Sequence, residues 1–240
     1  MKCTMAENIS SNVEPNLTVD IFEWVNLQIN DESVYPFSCK NGHKNVLIHQ
    51  EEKFELLFES AVHAISDGYF KEAVSSIASS IERLYEYCIN VISLKNKILP
   101  TDIETSWKTI SSQSERQLGA FIFLYLLEFK KCPPLLNNNQ ITFRNKVIHK
   151  GYFPTFQEVL DFGEATLSVM FEILISLRQN CKESIHEHQM LKAKDMFEST
   201  KIFSITPTVL SSPTIIHMAV NDDDFSKGVT LKEYLKGFKK

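Results

Sequence analysis

Glycine and proline are scarce in this chain, seven and eight among 240 residues. A turn-rich β fold needs both at its many corners. Their scarcity, in a chain rich in Leu, Ile, Phe, Ser, Glu and Lys, argues for helices. Long apolar runs are missing too. The longest, AFIFLYLL (120–127), falls far short of the ~20 residues that span a bilayer. Nor is there an excess of positive charge. The net charge of −5 offers no global attraction to nucleic acid, so a polyanion site has to be a local patch. No glycine-rich phosphate loop occurs, which argues against an ATPase or a dinucleotide enzyme. The N-terminal stretch MKCTMAENISSNVEPN contains no apolar signal core. The five cysteines (Cys3, Cys39, Cys88, Cys132, Cys181) are scattered and odd in number, with Cys88 read as a buried, reduced thiol on an apolar helix face. The expectation is a soluble, cytoplasmic protein without membrane contact.

Apolar residues make up 43% and charged residues 23%, the balance of one fair-sized globular domain with small additions at its ends. Residues 34–50 place two apolar segments around Lys40-Asn41-Gly42-His43, a hairpin signal. Phe54, Leu57, Phe58, Ala61, Val62 and Ile65 repeat at helical spacing until Asp67-Gly68. A longer stripe follows, from Phe70 through Ile77, Ile81, Leu84 and Cys88 to Ile92. SERQLGAFIFLYLLEF (114–129), with Ser114 as N-cap, predicts a third helix, stopped by Pro133-Pro134. A short helix is predicted over 138–149 and a long one from Phe156 past Arg178. Beyond residue 200 the texture turns β-branched, NDDDFSKG reads as a loop, and TLKEYLKGF as a brief helix capped by Thr230. The predicted fold is mainly α. It is a four- to five-helix bundle over 51–199, with an N-terminal extension carrying a β-hairpin (1–50) and a short β/α extension (200–240).

One stretch concentrates cations in this acidic chain. FRNKVIHKG (143–151) holds Arg144, Lys146, His149 and Lys150 with no carboxylate, directly before a Gly151–Pro154 break. On a helix, Asn145 and His149 lie about 40° apart and share a face, and the long Arg144 side chain spans the remaining ~140°. An imidazole beside a guanidinium suits cleavage of an RNA backbone. The imidazole moves a proton at the 2′-hydroxyl or the leaving 5′-oxygen, and the guanidinium neutralises the crowded phosphorane. No metal or other cofactor is required, because the attacking hydroxyl belongs to the substrate. The plain structural alternative is a cationic helix end, stabilising by about 0.3–1 kcal/mol without chemistry.

The stretch resembles the HEPN superfamily, helical bundles whose ribonuclease members carry arginine, four to six residues, then histidine, commonly with a polar residue after the arginine. Arg144-Asn145-Lys146-Val147-Ile148-His149 fits with four intervening residues. DGYFKEAVSSIASSIERLYEY and SERQLGAF upstream, and KGYFP followed by TFQEVLDFGEATLSVM downstream, extend the likeness over roughly 50–185. The resemblance implies an endoribonuclease that dimerises to build one composite, metal-independent site. His149 would move protons, Arg144 would stabilise the transition state and Asn145 would orient. Lys146, Lys150 and Arg116 would contact RNA. It further implies a toxin or antiphage effector acting on tRNA or mRNA, with an antitoxin or sensor as a conceivable partner. A non-catalytic bundle that dimerises, or binds a nucleotide or a partner, is the alternative.

Other chemistry-bearing residues have plainer readings. Cys39 and His43 have ligand-like spacing, with Cys3 and His49 as companions, but one close pair is half a structural zinc site, and a hairpin turn is preferred. Ser75, Ser76, Ser79 and Ser80 are small enough for close helix approach and read as a packing surface or a dimer contact. Glu82 reads by default as a solvated or structural ion pair, with orientation of Arg144 or His149 from across the bundle as the alternative. Ser114, Glu115 and Arg116 read as a helix start. Ser60, His63 and Asp67 form an amphipathic edge, and His186 and His188 lack identifiable metal partners.

Overall fold

A computed structural model describes residues 27–238, and they fall into two compact units. One joins the residues up to Gln50 with Lys192–Ser211. The other joins Glu51–Leu191 with the residues from Ser212 onward. The expected 51–199 bundle and 200–240 extension therefore divide differently. Residues 192–211 go with the sheet, and the rest of the C-terminal part belongs to the bundle unit. Mainly helical architecture holds throughout, with one small three-stranded sheet.

In the first unit, β1 (Val34–Ser38) and β2 (Lys44–His49) form the predicted antiparallel hairpin, Val34 facing Ile48 and Ser38 facing Lys44. Gly42 takes the left-handed conformation (φ 79°) that the turn requires. The sequence does not show that β3 (Thr208–Leu210) returns to pair in parallel with β2, Leu47 facing Thr208. Val34, Val46 and Ile48 bury together, with Met196, Phe203 and Ile205 packed on them. Pro36, which has no N–H to donate, sits on the edge strand β1.

The second unit is built around α2 (Phe70–Lys95). α1 (Lys53–Ser66) packs on it through Phe54, Phe58, Ala61, Val62 and Ile65, all buried. α2 is buried more widely than one stripe, because Tyr87, Ile89 and Leu94 are enclosed as well as Ile77, Leu84 and Cys88. Ser80 serves as the small packing residue expected. It is fully buried, and its Oγ donates to the Phe54 carbonyl at 2.6 Å, which ties α2 to α1. α3 (Pro100–Ile110), unpredicted, buries only Ile103 and so leaves little periodic signal. α4 (Ser114–Phe129) begins one residue earlier than predicted, since Gln113 and not Ser114 is the N-cap. α5 (Asn138–Lys150) and α6 (Phe156–Asn180) follow, Thr155 and Glu158 forming a capping box at the start of α6.

After a break at Cys181, α7 (Lys182–Thr200) continues from the bundle unit into the sheet unit. NDDDFSKG, read as a loop, contains α8 (Asp222–Lys227), and Thr230 caps α9 (Leu231–Lys236) as predicted. Glutamate carboxyl groups hold this tail to the bundle by its backbone. Glu51 accepts from the N–H of Ser212 (2.6 Å), Glu55 from Met218 (2.8 Å), Glu59 from Ile215 (3.0 Å), and Glu164 from Leu231 and Lys232 (3.1 and 2.9 Å). Arg178 donates to the carbonyls of Met218 and Val220 and to Asp222. Burial raises the Glu55 carboxyl to about 8.

Candidate active site

α5 is a well-delimited but shallowly packed helix. Asn137 caps it by accepting from the N–H groups of Asn139 and Gln140, and Gln140 returns the bond to the Asn137 N–H at 2.7 Å. Gly151 ends it in the left-handed conformation (φ 68°), its N–H on the Lys146 carbonyl. Within the helix only Val147 is fully buried, while Phe143 meets Phe162 of α6 at 5.5 Å between ring centres. So few anchors leave the polar residues of α5 free to face an opening.

That opening is a cleft of about 460 Å³ between α2, α4, α5 and α6. Arg144, Asn145 and His149 all line it. Arg144 Nη2 donates to Glu82 Oε1 at 2.6 Å, and Nη1 to Asn145 Oδ1 at 3.1 Å. The guanidinium is thus held between two acceptors, with both charged side chains only about a quarter exposed (26% and 27%). His149 is exposed in the last turn of α5. The walls are mostly apolar, including Ile81, Tyr85, Leu118 and Phe162. Burial pushes the Tyr85 phenol well up, so near neutrality it is a hydroxyl donor and not a base.

The cationic cluster of the sequence disperses around the helix. Lys146 does not line the cleft. Its Nζ lies 3.3 Å from the centre of the Tyr152 ring, and the Tyr152 hydroxyl donates in turn to Glu158. Lys150 is exposed outside the cleft, as is Arg116. The charged lining is Glu82, Glu115 and Arg144, with His149 beside them, so the cleft is mixed in sign and not basic. Ser114 and Glu115, read from sequence only as a helix start, also line it. Their role depends on which way the first turn of α4 faces, and no local pattern reports that. Glu82 pairs with Arg144 across sixty-two positions of sequence, a conceivable partnership that spacing alone did not settle.

The remaining candidates fall into structural roles. Cys39 Sγ and His43 Nδ1 are 3.4 Å apart within the hairpin turn, and Cys3 lies outside the described residues. Among the described residues no three His, Cys, Asp or Glu side chains group to hold a metal ion. His188 packs edge-on against Tyr87 with Nε2 3.9 Å from Glu52, and His63 Nε2 lies 3.8 Å from Glu59. Arg83 bonds Glu86 and Gln117. Among the described residues no helix is long and apolar enough to cross a membrane. Compared with known protein families, curated proteins and solved structures, the chain matches none.

Proposed function

We propose that this chain is a HEPN-like, metal-independent endoribonuclease. The observation that carries the reading is the convergence of Arg144, Asn145 and His149 on one cleft, with Glu82 and Asn145 fixing the guanidinium. In the proposed reaction the 2′-oxygen of the substrate attacks the adjacent phosphorus and the bond from phosphorus to the 5′-oxygen breaks. An imidazole takes the proton of the 2′-hydroxyl, and a second acid protonates the departing 5′-oxygen. The products are a 2′,3′-cyclic phosphate and a 5′-hydroxyl. Arg144 offsets the charge that builds on the phosphorane. Each cleft holds one histidine, so the second proton-transfer group is His149 of another copy in a homodimer. A cytoplasmic toxin or antiphage effector acting on tRNA or mRNA, with or without an antitoxin or sensor partner, is the role such chemistry fits.

The test incubates purified protein with total RNA or tRNA in chelator, beside His149→Ala and Arg144→Ala. Cleavage by wild type and its loss in both variants is the expected result. Equal cleavage by all three, or strict dependence on added metal, overturns the proposal. A second reading has its own support. Glu82 already neutralises Arg144 and most of the cleft wall is apolar, which suits a non-catalytic module that binds a nucleotide or partner. On that reading both alanine variants fold and bind like wild type, and no RNA is cut.

A further inference from the structure

Three tyrosines of the bundle core, Tyr85 and Tyr87 on α2 and Tyr125 on α4, have hydroxyls that bond no other group among the described residues. A buried donor without an acceptor is costly, but orphan status alone assigns no role. Those of Tyr87 and Tyr125 are enclosed in the core. Tyr85 differs in where it opens. Only 6% of the residue is exposed, and it lines the cleft that holds Arg144, Asn145 and His149. Its ring is held in place, stacked on Phe121 of α4 at 4.6 Å between centres and 23° between planes. Phe121 in turn meets the Tyr125 ring at 5.6 Å.

Tyr85 follows Glu82 by three residues on α2, about 4.5 Å along the axis, and Ile81, Glu82 and Tyr85 line the cleft together. Long helical side chains lean toward the helix N-terminus, which carries the phenol back over Ile81 and Glu82. The charge of Glu82 acts on that phenol and, after burial, helps to hold its proton. A fixed hydroxyl donor thus shares a helix face with the carboxylate that grips Arg144, and bonds neither partner of that pair. Charge shows what such a donor supplies. Glu82 cancels much of the Arg144 charge, and the exposed Glu115 on the cleft lining opposes an anion. A phosphorane nevertheless carries more negative charge on its non-bridging oxygens than the phosphate diester it forms from. A neutral phenol meets that growth with a hydrogen bond and brings no second ion to desolvate.

We propose that Tyr85 is a further catalytic residue of this cleft, its hydroxyl donating to a non-bridging oxygen of the phosphate that Arg144 binds. No bond is made or broken at the phenol, and its proton stays on the oxygen throughout. This rests on the ribonuclease reading, and the experiment separates the two. Full-length wild type, Tyr85→Phe and Tyr125→Phe are compared on RNA and on the same RNA with an Rp or an Sp phosphorothioate at the linkage that wild type cuts. Tyr85→Phe removes one oxygen and keeps the ring on Phe121. Its kcat falls about 100- to 1,000-fold with KM little changed, as for the loss of one oxyanion donor, whereas Tyr125→Phe cuts like wild type. Its urea midpoint equals or exceeds that of wild type, because the hydroxyl has no protein partner to lose. Sulfur is a poor acceptor, so one of the two diastereomers slows wild type more than the other, and that difference shrinks in Tyr85→Phe. A merely structural role would leave the difference unmoved. Cleavage by Tyr85→Phe at the wild-type rate, or with the full difference between diastereomers, overturns the assignment and leaves the ribonuclease reading standing. A loss confined to KM and to one base also overturns it, since the hydroxyl then meets a nucleobase. If wild type cuts no RNA, the ribonuclease reading fails and the role of Tyr85 falls with it.

Discussion

Removing Glu82 tests whether the guanidinium of Arg144 is held in place or merely nearby. The Nη2–Oε1 distance is 2.6 Å, and the two side chains are 26% and 27% exposed. At an effective dielectric of about 20, unit charges ~4 Å apart attract by ~4 kcal/mol. Desolvation and side-chain ordering oppose most of that, and exposed pairs net only ~0.2–1 kcal/mol. Charge-assisted hydrogen bonds net ~1.5–3 kcal/mol. Partial burial places this pair between them, at about 1–2 kcal/mol of coupling. The assay is a double-mutant cycle of Glu82→Ala, Arg144→Ala and the combination, read by urea unfolding and by RNA cleavage. In Glu82→Ala the arginine keeps only the Asn145 Oδ1 contact at 3.1 Å, so on the proposed ribonuclease reading cleavage is expected to fall about 10- to 100-fold, mainly in kcat, an effect comparable to losing ~1.4–2.7 kcal/mol of transition-state stabilisation. In the Arg144→Ala background the same substitution should cost nothing further. A coupling below ~0.3 kcal/mol, or faster cleavage without Glu82, would refute the reasoning. Faster cleavage would identify the carboxylate as a competitor for the phosphate site.

Three further outcomes follow from packing and protonation. Asn137→Ala removes the acceptor for two N–H groups of α5 and should cost about 0.5–2 kcal/mol in urea unfolding. Gly163→Ala gains ~1 kcal/mol of helix propensity, but its Cβ would lie 2.4 Å from Leu231 Cδ2 and 3.4 Å from Ile77 Cδ1. Overpacking of ~1–3 kcal/mol therefore wins, and the Leu231→Ala penalty should shrink in the Gly163→Ala background; additive penalties would contradict this. Glu55 is raised by burial to about 8 from its ordinary 4.5, so between those values the folded chain keeps a proton that the unfolded chain has released. Its contribution is complete below 4.5 and is lost as pH rises towards 8, by at most ~1.4 kcal/mol per pH unit. Glu59, also raised by burial, slopes the same way. Denaturation midpoints across this window should fall with pH in wild type and fall less in Glu55→Gln; parallel profiles would rule out Glu55 as the source.

Local order was legible wherever one helix face is buried and its ends are marked. Phe54, Phe58 and Ile65 report α1, and Gly151 and Thr230 mark a helix end and a helix start. α3 escaped notice because it buries one residue, and α8 because three aspartates in its first turn read as loop while favouring a helix N-terminus. The candidate site shows the same division. Spacing alone places Asn145 and His149 on one face, with Arg144 within reach, because 3.6 residues per turn is a property of the backbone.

The sequence by itself thus determined a mainly helical chain, the extent of α5 and the shared face of its polar residues. Tertiary structure alone decided that Glu82 meets Arg144 and that Ser114 and Glu115 face the same cleft. It also brought β3 to the N-terminal hairpin and seated the tail on Glu55, Glu59 and Glu164. The physical reason is range. Helix period and capping act over a few residues, whereas these contacts join positions dozens to more than a hundred apart, chosen by how whole apolar faces pack.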